Sequence, residues 1–316
     1  MQTRSLGSSN IQIVPLVLGG NVFGWTIDAP TSFRVLDAFV DRGFNFIDTA
    51  DVYSRWLRGN RGGESETILG QWFKKSGTRD KVVLATKVGN DMGDDKQGLR
   101  KKYILEEVEA SLKRLQTDHI DLYQSHKDDE STPLEETLEA YQQLIQQGKV
   151  RIIGASNYKG DRLTKAIEVA RQHNLPVYQT LQPEYNLYDR QDYEQDLAPV
   201  AEKFHLGVIP YFSLASGFLT GKYKTVEDTK GKNRGAHVEK YFDARGRKTL
   251  EALDEISKQT HAKQASIALA WLLAQPTITA PIASATSTDQ LESLFAAVDL
   301  KLDGDSLDKL TQASAY

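Results

Sequence analysis

The chain has 316 residues, 39 basic against 43 acidic side chains and a formal net charge of −4. That balance supplies no basic field for nucleic acid or anionic lipid. The lack of any cysteine excludes a disulfide framework, a thiolate metal site and a cysteine nucleophile. The first residues carry no signal-peptide-like apolar run, and no stretch approaches the roughly 18 apolar residues of a membrane span. The expectation is a cytoplasmic protein with neither a nucleic-acid nor a membrane partner, and no metal site.

Residues 3–14 alternate polar and apolar side chains around Gly7-Ser8-Ser9-Asn10, which predicts a small hairpin ahead of the main fold. Val17-Leu18-Gly19-Gly20 predicts a buried strand. Thr31 is a suitable N-cap for a helix carrying Phe33, Leu36, Phe39 and Val40 on one face and stopped by Gly43. The second strand, Phe44 to Ile47, runs directly into Asp48-Thr49-Ala50-Asp51-Val52-Tyr53. A helix from Glu64 to Lys75 faces Ile68, Leu69, Trp72 and Phe73 inward, and the third strand, Val82 to Lys87, ends on a lysine.

The alternation continues. Ile104, Leu105, Val108, Leu112 and Leu115 mark a helix, and Ile120 to His126 is a strand ending on a histidine. Thr132-Pro133 reads as N-cap and first residue of a helix that buries Leu134, Leu138, Tyr141 and Ile145. Strands at Val150–Ala155, Val177–Gln182, Gly207–Tyr211 and Ile278–Ala283 interleave with helices around Leu163, Leu197–Phe204 and Ser266–Ala274, and a last helix begins near Thr288. Eight strand-helix units without a compositional linker predict one α/β domain over residues 1–316, a single (β/α)8 TIM barrel with a short N-terminal β-hairpin. Two loops are unusually long, Ser54 to Gly63 and Phe212 to Lys248, and both leave the carboxyl ends of strands, where a barrel keeps its chemistry.

Asp48, Tyr53, Lys87 and His126 are thereby placed at one mouth, on the second, third and fourth strands. Alone, a strand-end histidine or lysine is an ordinary structural or solvated residue. Together the four make a site. An ammonium beside a phenol favours phenolate and should lower the phenol's pKa from about 10, and a carboxylate makes a half-buried ammonium affordable. A neutral histidine can orient and polarise a carbonyl oxygen. The set fits reversible carbonyl reduction. Phe23, Trp25 and Trp56 on neighbouring loops would form an aromatic substrate wall.

Gly43-Phe44-Asn45-Phe46-Ile47-Asp48-Thr49-Ala50 with Tyr53, then Ala85-Thr86-Lys87, then His126, then Gly154-Ala155-Ser156-Asn157, resembles the aldo-keto reductase family. Gly63-Glu64-Ser65-Glu66 and Pro183-Glu184-Tyr185-Asn186 are similar to phrases of its bacterial branch related to potassium-channel β-subunits. The resemblance implies that Tyr53 is the proton donor, that Lys87 and Asp48 tune it, and that His126 orients the carbonyl. It further implies that Ser156, Asn157 and Gln182 hold the nicotinamide carboxamide, and that Tyr211 stacks on the nicotinamide ring. Ser213, Leu214, Gly217, Leu219 and Gly221 are implied along the pyrophosphate, and Ser284, Thr286, Ser287 and Gln290 at the adenosine end. Ser287 stands where the family commonly has an arginine or lysine for the 2′-phosphate, so a charge-assisted contact is missing there. Lys222, Lys224, Lys230, Lys232 and Arg234 of the long loop are the cations available to replace it. The implied cofactor is NADP(H), with NAD(H) as the alternative, and the implied partner is a small carbonyl or alcohol substrate, with a homo-oligomer possible. Two other readings stay open: a nicotinamide-binding regulatory subunit of slow turnover, and a barrel aldolase forming a Schiff base on Lys87.

Overall fold

The computed structural model describes residues 1–94 and 96–316. Two short antiparallel strands, β1 (Arg4–Ser5) and β2 (Gln12–Ile13), form the expected hairpin. Its apolar side chains Leu6, Ile11 and Ile13 are buried against Val17, Phe46, Val83, Ala85, Leu122 and Ile209. Arg4 ties it down by donating to the carbonyls of Leu273, Ile278 and Thr279.

Eight parallel strands follow: β3 (Val17–Gly19), β4 (Phe46–Asp48), β5 (Val83–Val88), β6 (Ile120–Ser125), β7 (Val150–Ser156), β8 (Thr180–Gln182), β9 (Gly207–Val208) and β10 (Ile282–Ala283). Their order, β10-β3-β4-β5-β6-β7-β8-β9, follows the chain apart from the wrap of β10 next to β3. Val208 bridges Ile278, Thr279 N donates to Val208 O at 2.8 Å, and Ile282 N donates to Pro210 O at 2.9 Å, linking the ends of that order. The result is a TIM-barrel-like α/β sheet. The ladders of β8, β9 and β10 are shorter than the apolar runs that predicted them, because the ends of those runs pair only through isolated bridges and single bonds.

The helices are α1 (Ala29–Asp41), α2 (Glu64–Ser76), α3 (Lys101–Leu115), α4 (Leu134–Gln146), α5 (Gly160–Gln172), α6 (Ala198–Phe204), α7 (Gly235–Val238), α8 (Ala244–Thr260), α9 (Gln264–Ala274), α10 (Thr288–Asp299) and α11 (Gly304–Ala313). The start of α1 differs from expectation. Asp28 is its cap, accepting from Thr31 N at 3.0 Å, and Pro30 lies in the first turn. Likewise Pro133, not Thr132, precedes α4, and the Thr132 hydroxyl donates to Asp129 instead.

The stretch expected as one long loop is mostly ordered. Short 3-10 segments at Ala215–Thr220, which is kinked at Ser216 and Gly217, Val226–Thr229 and Glu239–Tyr241 flank α7, and α8 begins at Ala244. Helix α8 escaped the periodicity reading because its buried side includes Gly246, Thr249 and Ala252, so only Leu253 and Ile256 are strongly apolar. Helix α11, also beyond expectation, buries little more than Leu310 and Ser306. By contrast α9 is buried all round, with Trp271 wholly enclosed. Among the described residues no helix is long and apolar enough to cross a membrane.

Candidate active site

Strand register sets the site. Asp48 pairs with Ala85, Lys87 with Gln124, Gln124 with Gly154, and Ser156 with Gln182, so polar side chains gather near one end of five adjacent strands. Lys87 is fully buried there. Its Nζ donates to Asp48 Oδ2 at 2.6 Å, to the Thr49 carbonyl at 2.8 Å and to the Tyr53 hydroxyl at 2.8 Å. The same Nζ lies 4.5 Å from the Tyr53 ring centroid. Tyr53 in turn donates to Asp48 Oδ2 at 3.4 Å, and its ring meets that of His126 edge-on at 5.9 Å. The four residues expected together are together.

Their electrostatics depart from the sequence argument in one respect. Burial, followed by the charge of Asp48, pushes the Tyr53 phenol well above its ordinary value. Lys87 does not reverse this, since its charge is already shared with Asp48 at shorter range, and burial lowers its own pKa against the pull of that carboxylate. Tyr53 is therefore a firmly protonated phenol. Burial, then the charges of Lys87 and Lys127, lowers His126 well below 6.5, so its imidazole is neutral, and its Nδ1 has no partner among the described residues.

These groups open onto a cavity of about 930 Å³, at the upper end for small-molecule sites. Asp48, Tyr53, His126, Ser156, Asn157, Gln182, Tyr211, Ser213, Leu214, Gly217, Ser284, Thr286 and Gln290 all line it. Ser156 Oγ donates to the Gln182 carbonyl, Asn157 Nδ2 to the His126 carbonyl, and the Tyr211 hydroxyl to Asn157 Oδ1 at 2.7 Å. Of the expected wall only Trp56 lines the cavity, half exposed and edge-on to Trp25 at 5.5 Å. Phe23 is wholly buried in the core. Leu219 is likewise core, Gly221 abuts the Gln264 side chain, and Ser287 caps α10, so these three stand off the cavity.

Several lining residues were not singled out in sequence. Two of them have left-handed backbone: Ser216, with a φ of 56°, and Phe212, with a φ of 51° and its ring exposed beside Tyr211. Backbone of this kind is held at a cost and gathers at functional sites. Lys222, Lys232 and Arg234 reach the cavity, whereas Lys224 and Lys230 do not line it. Arg234 stacks on Trp25 at 5.3 Å, and its Nη2 is buried with no hydrogen-bond partner among the described residues. Gln264 Oε1, also lining the cavity, is likewise unpartnered. A buried guanidinium N–H and an amide oxygen left open fit an anionic, hydrogen-bonding ligand such as a dinucleotide. Charge on a long polar loop gave no signal that separated these cations from solvated ones.

Residues 15–315 match the aldo/keto reductase family. The chain is 39% identical over 315 residues to "Uncharacterized oxidoreductase YrpG" of Bacillus subtilis, covering 97% of this chain and 94% of that protein. It is 36% identical over 293 residues to "Aldo-keto reductase YhdN" of the same organism, covering 91% and 84%. To "Probable voltage-gated potassium channel subunit beta" of Oryza sativa it is 32% identical over 310 residues, covering 95% and 92%. The chain belongs to the aldo/keto reductase family, and is an oxidoreductase by that membership.

Proposed function

From that membership as premise, we propose that the protein is an NAD(P)H-dependent reductase of aldehydes or ketones, built on a closed (β/α)8 barrel, and that Tyr53 is its proton donor. The observation that carries the reading is Lys87 Nζ bonded at once to Asp48 and to the Tyr53 hydroxyl beside the cavity.

The reduced nicotinamide, when bound, supplies the hydride. Ser156, Asn157 and Gln182 offer the donors and acceptors that its carboxamide needs, and the rings of Tyr211 and Phe212 offer it a face. Lys222, Lys232 and Arg234 offer charge to the phosphates. Tyr53 gives its proton to the carbonyl oxygen as the carbon accepts the hydride, which leaves an alcohol. A phenol with a raised pKa is a reluctant acid, so the Lys87 ammonium at 2.8 Å must stabilise the phenolate as it forms. Neutral His126 hydrogen-bonds the same carbonyl oxygen and aligns it. A solvent proton then restores Tyr53. A Schiff base at Lys87 is disfavoured, because its nitrogen already serves three acceptors and carries no free lone pair while paired with Asp48.

Titrating NADPH and NADH against tryptophan fluorescence, followed by steady-state assay with a panel of aldehydes, tests the reading. Quenching by at least one dinucleotide and turnover of at least one aldehyde are expected. No binding of either dinucleotide would remove it, and tight binding with negligible turnover across the panel would favour the regulatory alternative.

A further inference from the structure

Gln124 is wholly buried on β6 and is not among the residues that line the cavity. A buried amide is costly unless its polar atoms are bonded, and an aliphatic side chain would fill the space without that demand. Here both ends are bonded. Its Nε2 donates to Asp48 Oδ1 at 3.1 Å, and its Oε1 accepts from Gln182 Nε2 at 3.2 Å, while Gln182 Nε2 also donates to Asp48 Oδ1 at 3.0 Å. The triangle admits one orientation of Gln124, because a flipped amide would set its oxygen against the carboxylate. Space for it is provided by Gly154, its register partner, where a Cβ would come within 3.1 Å of Gln124 Cγ and 2.2 Å of Thr180 Oγ1.

Asp48 thus has divided duties. Oδ2 faces Lys87 and Tyr53, and Oδ1 faces two amides. Rotation of the carboxylate would break both sets. We infer that Gln124 is a positioning residue for the proton transfer, pinning Asp48 Oδ1 so that Oδ2 stays on Lys87 and Tyr53, without touching substrate or cofactor. Gln182 cannot serve that purpose alone, since it lines the cavity and is claimed by the bound dinucleotide in the functional reading above, on which this inference rests. Gln124 is the donor that remains.

Two variants of the full-length protein test this. Gln124→Met keeps the volume and removes the donor, and Gln124→Glu keeps the shape and replaces the donor by an acid. Each is assayed across pH with an aldehyde that the wild type reduces, alongside dinucleotide binding. Dinucleotide affinity and KM should stay at wild-type values, while kcat of Gln124→Met falls by about tenfold, the scale of one hydrogen bond to a charged group. The limbs of the kcat profile should move in both variants, because Gln124→Met withdraws a donor from the hydrogen-bonded Asp48, Lys87 and Tyr53 unit and Gln124→Glu sets a second acid against it. Limbs superimposable on the wild type's overturn the inference even if kcat falls, since a packing defect alone would leave them in place. If Gln124→Met does not fold, the Gln124→Glu profile decides. A wild type that reduces neither aldehydes nor ketones overturns the functional reading and this inference together, whereas an active wild type with unmoved limbs in the variants overturns this inference alone.

Discussion

Lys87 Nζ and Asp48 Oδ2 lie 2.6 Å apart, with side chains 0% and 1% exposed. Lys87, which unlike Asp48 does not line the cavity, has no solvent to turn to if its partner is removed. Asp48→Ala should therefore cost about 3–5 kcal/mol at neutral pH, the scale for leaving one partner of a buried pair unmatched. The deficit should shrink at high pH, where the unpaired ammonium can shed its proton. Urea unfolding at pH 7 and pH 10 reads both effects, and a deficit that grew with pH would count against the argument.

Tyr53→Phe removes the hydroxyl held by Lys87 and keeps the ring that packs against His126. Turnover should fall by roughly 10²–10⁴, the range for a positioned proton donor. Dinucleotide binding, followed by fluorescence quenching, should be unchanged. Comparable turnover in the variant would exclude Tyr53 as the donor.

Asp51 is buried beside the site, with Oδ1 accepting from Val52 N and Oδ2 unpartnered among the described residues. Burial, then the charges of Glu66 and Glu107, raises its pKa well above 3.8. A folded-state value above the unfolded one means that folding takes up a proton, so stability present below about pH 4 is lost as pH rises toward the folded value. Asp51→Asn removes that loss. Its Tm should exceed the wild type's by a margin that widens from pH 4 upward, and a margin constant with pH would refute the assignment.

His126 has its folded-state pKa depressed well below 6.5 by burial and by Lys87. Its ring resonances should remain those of neutral imidazole at pH 6, where a solvent-exposed histidine is mostly charged. Two-dimensional NMR with a His126→Gln variant for assignment is sufficient, and a midpoint near 6.5 would contradict the structure.

Gly70 sets the approach of α2 to α3. A Cβ there would stand 2.1 Å from the Arg114 carbonyl oxygen. Helix propensity alone favours Gly70→Ala by up to about 1 kcal/mol, but overpacking typically costs about 1–3 kcal/mol. The clash is with backbone, which cannot step aside as a side chain would, so net destabilisation is expected in chemical denaturation. A stabilised variant would show that the helices part without penalty.

The chain's own pattern determined the order of the strands and the identity of the four central residues. Continuous apolar runs such as Val82 to Ala85 announce strands covered on both faces, and residues at their carboxyl ends share a mouth by geometry alone. Capping was less legible, because Asp28 and Thr31 are both competent caps and only the position of Pro30 within the turn separates them. Helices α8 and α11 were hidden for a different reason: they bury small or polar residues such as Gly246, Thr249 and Ser306, which leave almost no hydrophobic period.

Tertiary structure alone decided how charge and hydrogen bonds are apportioned. Sequence set a lysine beside a tyrosine and suggested an acidified phenol; the fold puts Asp48 on both, and desolvation reverses the direction of the shift. Gln124 and Phe212 came into view only when segments distant in the chain were laid side by side, and only then did Arg234 separate from the solvated cations of its loop. A periodic pattern records which face of an element avoids water, whereas a pKa or an orphaned donor depends on distances between residues that the pattern never compares.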